Sequence, residues 1–155
     1  MAASQLFLAR RCFTMYHLHS ASDYLEISYQ TDAQVLIARW LRPVTEAEAR
    51  RDYTELLTAA QHFDAHYWLF DIRRRGRSAP ATIDWLLASY YPQAVRELGA
   101  PVRLAYFMAP GLRQEFMTDG TVPEPTTYTA QLPFRMNQCI TEAEAIGWLR
   151  QEQGL

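Results

Sequence analysis

The chain contains no lysine, because all 15 of its basic residues are arginines. Without lysine there is no Schiff-base nucleophile, no P-loop lysine and no lysine general base. The formal net charge of -2 lacks the basic excess of a general nucleic-acid-binding protein, so we expect no nucleic-acid partner. The longest apolar runs are too short to cross a bilayer, and the sequence predicts no membrane span.

Patterns typical of metal centres and of catalysis are also missing. The two cysteines form no CxxC pair, and neither His17 with His19 nor His62 with His66 has a third ligand nearby that could be named. There is no nucleophile elbow, no Ser-His-Asp order and no readable glutamate pair. We therefore expect no metal, no cofactor and no enzymatic activity.

The N-terminal residues do not have the order of a secretion signal. Their apolar stretch, residues 6–9, precedes Arg10 and Arg11, whereas a signal peptide has its positive charge first, and no Ala-x-Ala site follows. We expect a cytoplasmic protein with an N-terminal arm at 1–22, one domain at 23–150 and a C-terminal tail at 151–155. Met15 is an alternative start.

With 155 residues, 49% of them apolar, the chain can bury a core without disulfides. Hydrophobic periodicity and capping residues predict an α/β domain of order β-β-α-β-α-β-α-β-α, with a mixed sheet of about five strands. The predicted strands lie at 24–29, 35–40, 67–70, 102–108 and 132–136, the last being the favoured part of 128–139. Four helices are predicted. The first runs from the capping box of Thr45 and Glu48 to about 62, and the second from Pro80 to Gly99 with a kink or break at Pro92. The third spans 112–117, and the fourth begins at the capping box of Thr141 and Glu144.

This order of elements resembles the STAS domain, the fold of the sporulation anti-sigma-factor antagonists, and the chain looks closest to small bacterial STAS-like proteins of unassigned function. The segments that carry the resemblance are 24–29, 38–40, 68–71, Asp84-Trp85 and 144–149. The resemblance implies a non-enzymatic regulatory or protein-interaction module. One departure is that the antagonists carry a phosphorylatable serine just after the third strand, whereas here Asp71 is followed by Ile72 and arginines, and the nearest serine is Ser78.

The strongest local feature is the arginine loop, residues 72–78, which follows the third predicted strand. Its four arginines precede the predicted start of a helix, and a helix N-terminus together with forked guanidinium groups favours an anion or an acidic partner surface. The alternative is a solvated loop whose arginines pair with nearby glutamates, and Ser78 is interpreted first as a helix cap. The candidate binding residues around this loop are Asp71, Arg73, Arg74, Arg75, Arg77, Ser78 and Trp85.

Two of these candidates have further interpretations. Asp71 ends a buried strand, where ligands bind in open α/β sheets, but bonding to a loop amide or to Arg73 is favoured. Trp85 with Tyr90 and Tyr91 could line a pocket for an apolar ligand, as the similar layout of lipid-binding CRAL-TRIO domains suggests, although core packing is the more ordinary interpretation.

The leading functional expectation is a cytosolic STAS-type module that contacts a protein partner or a small anion through the arginine loop. The alternative is a carrier of a small apolar ligand or lipid. A homodimer formed through an edge strand is compatible with either expectation and cannot be inferred from one chain.

Overall fold

A computed structural model describes residues 14–120 and 125–155, and within them the chain forms a six-stranded mixed sheet with helices on both faces. The strands are β1 (Met15–Leu18), β2 (Leu25–Gln30), β3 (Val35–Trp40), β4 (Tyr67–Asp71), β5 (Val102–Phe107) and β6 (Phe134–Cys139). The helices are α1 (Glu46–Phe63), α2 (Pro80–Trp85), α3 (Tyr91–Leu98), α4 (Pro110–Asp119), α5 (Pro125–Tyr128) and α6 (Glu142–Glu152). A π-helical segment, Leu86–Tyr90, joins α2 to α3. The predicted α/β class and mixed sheet are confirmed.

The strands lie side by side in chain order. The first three form antiparallel pairs, and β3 to β6 are parallel. Because side chains alternate across a strand, even-numbered residues of β3 to β6, such as Trp40, Phe70 and Leu104, join the core beneath α1, α2 and α3. Odd-numbered residues such as Ile37 and Leu69 pack in a second core beneath α6. The two faces of the sheet are therefore covered by different helices.

The helix ends follow from their capping residues. Thr45 accepts a hydrogen bond from the Glu48 N–H and the Glu48 carboxylate accepts one from the Thr45 N–H, which confirms the predicted capping box at the start of α1. Gly99 ends α3 in the left-handed conformation with φ 68°. Ser78 is not the cap of α2, contrary to its first interpretation, because Ala79 is the N-cap residue and Pro80 follows in the first turn.

The predicted kink or break at Pro92 takes the form of a wider helical turn. The Tyr91 N–H bonds to the Leu86 carbonyl five residues back, and Pro92, which has no N–H to donate, follows in the first turn of α3. The helical path therefore continues from α2 into α3. Both Tyr90 and Tyr91 are buried there.

Other boundaries differ from the prediction. Residues 15–18, in the predicted arm, form the edge strand β1, which pairs with β2 and raises the strand number from about five to six among the described residues. The last strand begins at Phe134, directly after Pro133, and not at Leu132, since proline cannot donate to a sheet ladder. A short helix, α5, which the sequence did not predict, lies between α4 and β6.

Candidate functional site

The arginine loop places the side chains of Arg73 and Arg75 on opposite faces of the sheet. The Ile72 N–H bonds to the Phe107 carbonyl at 2.8 Å, so the strand-like path continues one residue beyond β4. Arg73 turns back to Asp71 on the α6 face, while Arg75 is buried against Tyr53 on the α1 face. The four arginines that are neighbours in sequence therefore do not form one cationic cluster.

The remaining two arginines of the loop differ in environment. Arg77 forms an ion pair with Asp119 at the end of α4 and lies over the Phe116 ring at 4.8 Å. Arg74 is exposed, and no hydrogen bond or ion pair among residues 14–120 and 125–155 involves its guanidinium.

Asp71 is the centre of a closed ion-pair group on the α6 face. Its Oδ2 accepts hydrogen bonds from Arg39 Nη1 at 2.9 Å and Arg73 Nη2 at 2.8 Å, and its Oδ1 accepts from Arg73 Nε at 3.0 Å. Arg39 also bonds to Glu142 at 2.7 Å. Burial acts to raise the pKa of Asp71, but the bonds from Arg73 and Arg39 outweigh it and hold the pKa below its ordinary value. The group links β3, β4 and the start of α6, the structural role favoured for Asp71.

Arg75 is the unusual member of the loop because it is only 6% exposed and has no carboxylate partner among the described residues. Its Nη1 donates to the Tyr53 hydroxyl at 3.0 Å, and its guanidinium lies 4.4 Å from the centroid of the Trp40 ring. None of the ion pairs among the described residues includes Arg75, and its buried Nε has no hydrogen-bond partner within them. A buried charge without a counterion lowers stability unless something else satisfies it.

The aromatic surface beneath Arg75 is itself held in place. Trp40 Nε1 donates to Asp52 Oδ2 at 3.0 Å, and the Tyr24 hydroxyl donates to Asp52 Oδ1 at 2.9 Å. Burial raises the pKa of Asp52, while the hydrogen bonds from Trp40 and Tyr24 oppose that rise. Trp40 is thus fixed between a carboxylate at its nitrogen and a guanidinium over its ring.

Three tyrosines continue from Arg75 along the inside of the domain. Tyr53 comes from α1, Tyr106 from β5 and Tyr91 from α3. The Tyr53 and Tyr106 hydroxyls are 3.3 Å apart, and the Tyr106 hydroxyl is hydrogen-bonded to that of Tyr91. Burial raises the pKa of Tyr91 and of Tyr106 well above the ordinary value, so both phenols are neutral at physiological pH.

The Arg75 guanidinium is charged in this environment. Burial acts to lower the pKa of Arg75, but Tyr53 and Tyr106 act to raise it, and the net direction is upward. Arginine in any case keeps its proton across the pH range of proteins. The positive charge is therefore permanent and faces neutral hydroxyls and aromatic rings.

Arg75, Tyr91 and Tyr106 line a cavity of about 250 Å³ that is partly open to solvent. Met108 and Gln138, which lie at the carboxyl ends of β5 and β6, also line it, so the cavity lies at the edge where parallel sheets bind ligands. Much of the remaining wall is apolar and includes Ile72, Ile83, Leu87, Met108, Phe116 and Met136. The cavity can hold a ligand with an apolar body and one negatively charged end.

Of the residues predicted to bind, only Arg75 and Ser78 line this cavity. Asp71, Arg73, Arg74 and Arg77 lie outside it for the reasons given above.

Trp85 also lies outside the cavity, because its ring contacts those of Tyr53 and Tyr90, and the Arg50 guanidinium covers it at 4.9 Å. This is the core-packing role favoured for it, and among the three aromatic residues considered for a pocket it is Tyr91 that lines the cavity.

Tyr53, Tyr106 and Asp84 were not among the binding residues predicted from the sequence. Asp84 is exposed and also lines the cavity. The one signal in the sequence was Tyr106 itself, a tyrosine in a mostly apolar strand. A buried tyrosine hydroxyl needs a hydrogen-bond partner, so this position indicated a polar group in the interior. No spacing along the chain relates Tyr53 to Tyr106, because α1 and β5 meet only in the folded domain.

Within the described ranges, no three or more His, Cys, Asp or Glu side chains are grouped so that they could hold a metal ion. The helices of those ranges include none with the length and apolarity needed to cross a membrane. Comparisons of the chain with protein-family models, with curated proteins and with solved structures found no match.

Proposed function

We propose that this chain is a binding domain for a small organic ligand that has an apolar body and an anionic group. The observation that carries the proposal is Arg75, a buried and permanently charged side chain that none of the described carboxylates neutralises and that lines a largely apolar cavity. A ligand anion would supply the missing counterion and would accept from the guanidinium in a water-poor site.

The size of the cavity limits the ligand. A volume of about 250 Å³ corresponds to about eight non-hydrogen atoms if each takes the ~30 Å³ share of a water molecule. Because the cavity is partly open, a longer ligand could extend into solvent. This proposal keeps the expected contact through the arginine loop and combines it with the alternative of an apolar-ligand carrier. It involves no chemical reaction.

Octanoate and 3-phenylpropionate are suitable probes, because each joins a carboxylate to an apolar body of about the right size. We expect isothermal titration calorimetry to detect binding to the wild type and to Arg74→Met, which removes an exposed charge from the same loop. Arg75→Met should bind at least about tenfold more weakly, because a hydrogen bond to a charged group contributes ~1.5–3 kcal/mol. If the wild type binds neither acid, or if the two variants bind equally well, the proposal is wrong.

A regulatory module that binds a protein partner, as the STAS-like resemblance implies, is the second candidate. The observation that favours it is Arg74, which is exposed and is not engaged by any described side chain. An acidic partner surface would contact Arg74 and leave Arg75 buried. The two candidates therefore depend on different arginines of one loop, and the same pair of variants separates them.

A further inference from the structure

The hydroxyl groups of Tyr53, Tyr106 and Tyr91 form a continuous row from Arg75 to the cavity. Arg75 Nη1 donates to the Tyr53 oxygen at 3.0 Å, so that oxygen is an acceptor at the inner end of the row. The Tyr53 hydroxyl contacts that of Tyr106, which in turn contacts that of Tyr91. Tyr53 is fully buried and does not line the cavity, whereas Tyr106 and Tyr91 do.

Counting protons along this row shows that one donor is left for a ligand. Three tyrosine hydroxyls carry three protons, and the two contacts between them use two. If the remaining proton were on Tyr53, it would be an unpaired donor inside the core, which is the costly arrangement. The remaining proton therefore lies on Tyr106 or Tyr91, at the wall of the cavity, whichever way their mutual bond is oriented.

We infer that the ligand's anionic group is a carboxylate that accepts hydrogen bonds from both Arg75 and the hydroxyl pair of Tyr91 and Tyr106. This inference rests on the proposed function and adds the class of the ligand and a second group that selects it. A carboxylate has only acceptor atoms and a single negative charge, which matches one guanidinium and one phenol donor. A phosphate monoester brings up to two charges, of which the single guanidinium of Arg75 can balance only one.

The test uses three ligands with the same tail, namely octanoate, octanol and octyl phosphate. We expect wild-type protein to bind octanoate most tightly. The hydroxyl pair is removed in Tyr91→Phe/Tyr106→Phe, because either single variant leaves one proton at the cavity wall. Tyr90→Phe is the matched control, since Tyr90 is also a buried tyrosine of the same helical path, but its hydroxyl donates to the Tyr53 backbone carbonyl and it does not line the cavity.

The double variant should bind octanoate about tenfold more weakly than Tyr90→Phe does, with a smaller loss for octanol, because only the carboxylate makes a charge-assisted bond. Equal losses for both ligands would show that the tyrosines merely shape the cavity, and the inference would be overturned. Tighter binding of octyl phosphate than of octanoate would exclude the carboxylate. If the wild type binds none of the three ligands, the proposed function itself fails, whereas binding of octanoate that the double variant retains overturns this inference alone.

Discussion

Arg73 and Arg75 are two residues apart in one loop, yet they have opposite electrostatic environments. Arg73 is half exposed and forms two side-chain hydrogen bonds with Asp71, its guanidinium lying 4.1 Å from the Phe107 ring. Arg75 is almost fully buried and makes its only described side-chain hydrogen bond with the Tyr53 hydroxyl. The side of the sheet to which each residue turns decides its environment.

The difference suggests different uses for the same residue type. Around Asp71, each charge has a partner, and the group links strands β3 and β4 to helix α6. Around Arg75, the described residues provide aromatic rings and hydroxyls, and none of their carboxylates forms an ion pair with it. A closed ion-pair group stabilises the fold, whereas a buried charge without a partner lowers stability and is ready to bind an anion.

The largest expected effect comes from breaking the closed group at its centre. Asp71→Asn removes the charge that holds Arg39 and Arg73, and we expect the free energy of unfolding to fall by about 2–3 kcal/mol. Urea unfolding followed by circular dichroism measures the change. The control is Glu46→Gln, which breaks an exposed i,i+4 pair with Arg50 and should cost less than about 0.5 kcal/mol. Equal effects of the two variants would show that Asp71 has no special role.

A smaller effect should appear as a dependence on pH. The pKa of Asp71 is lowered in the folded state, so its contribution is complete above its unfolded-state value near 3.8 and is lost as the pH falls through the folded value. The stability difference between wild type and Asp71→Asn should therefore shrink as the pH is lowered from about 5 to 3. Burial raises the pKa of Asp52, so Asp52 affects the pH dependence of stability in the opposite direction. It does so in both proteins, and its contribution therefore cancels in this difference. A constant difference over this range would contradict the assignment.

Much of the fold was predictable because it depends on local signals. The Val35–Trp40 strand, the capping box of α1, the threonine cap of α6 and the glycine at the end of α3 are determined by residues a few positions apart. Strand β1 was missed because its residues are largely exposed and it is held by its pairing with β2, a contact that no alternation within 15–18 reveals.

The candidate site was less predictable, because its chemistry depends on which face of the sheet each side chain reaches. The sequence singled out the arginine loop, but it could not show that Arg75 alone would be buried among Trp40 and Tyr53. The hydroxyl groups of Tyr53, Tyr106 and Tyr91 come from α1, β5 and α3, and these elements meet only in the folded domain. Long-range packing, rather than residue type, makes this arginine different from its neighbours.

The smallest expected change has the opposite sign. Arg75→Met fills a similar volume without a charge, and replacing a buried unpaired charge by an apolar side chain should stabilise the fold. The lost hydrogen bond to Tyr53 and the lost contact with the Trp40 ring offset part of this gain. We therefore expect the free energy of unfolding to rise by about 1 kcal/mol. Arg73→Met should lower it by about 1 kcal/mol, since it removes a partner of Asp71. Urea unfolding without ligand compares the two variants directly. A loss of stability in both would mean that Arg75 stabilises the fold as Arg73 does, and the argument that its charge is reserved for a ligand would then fail.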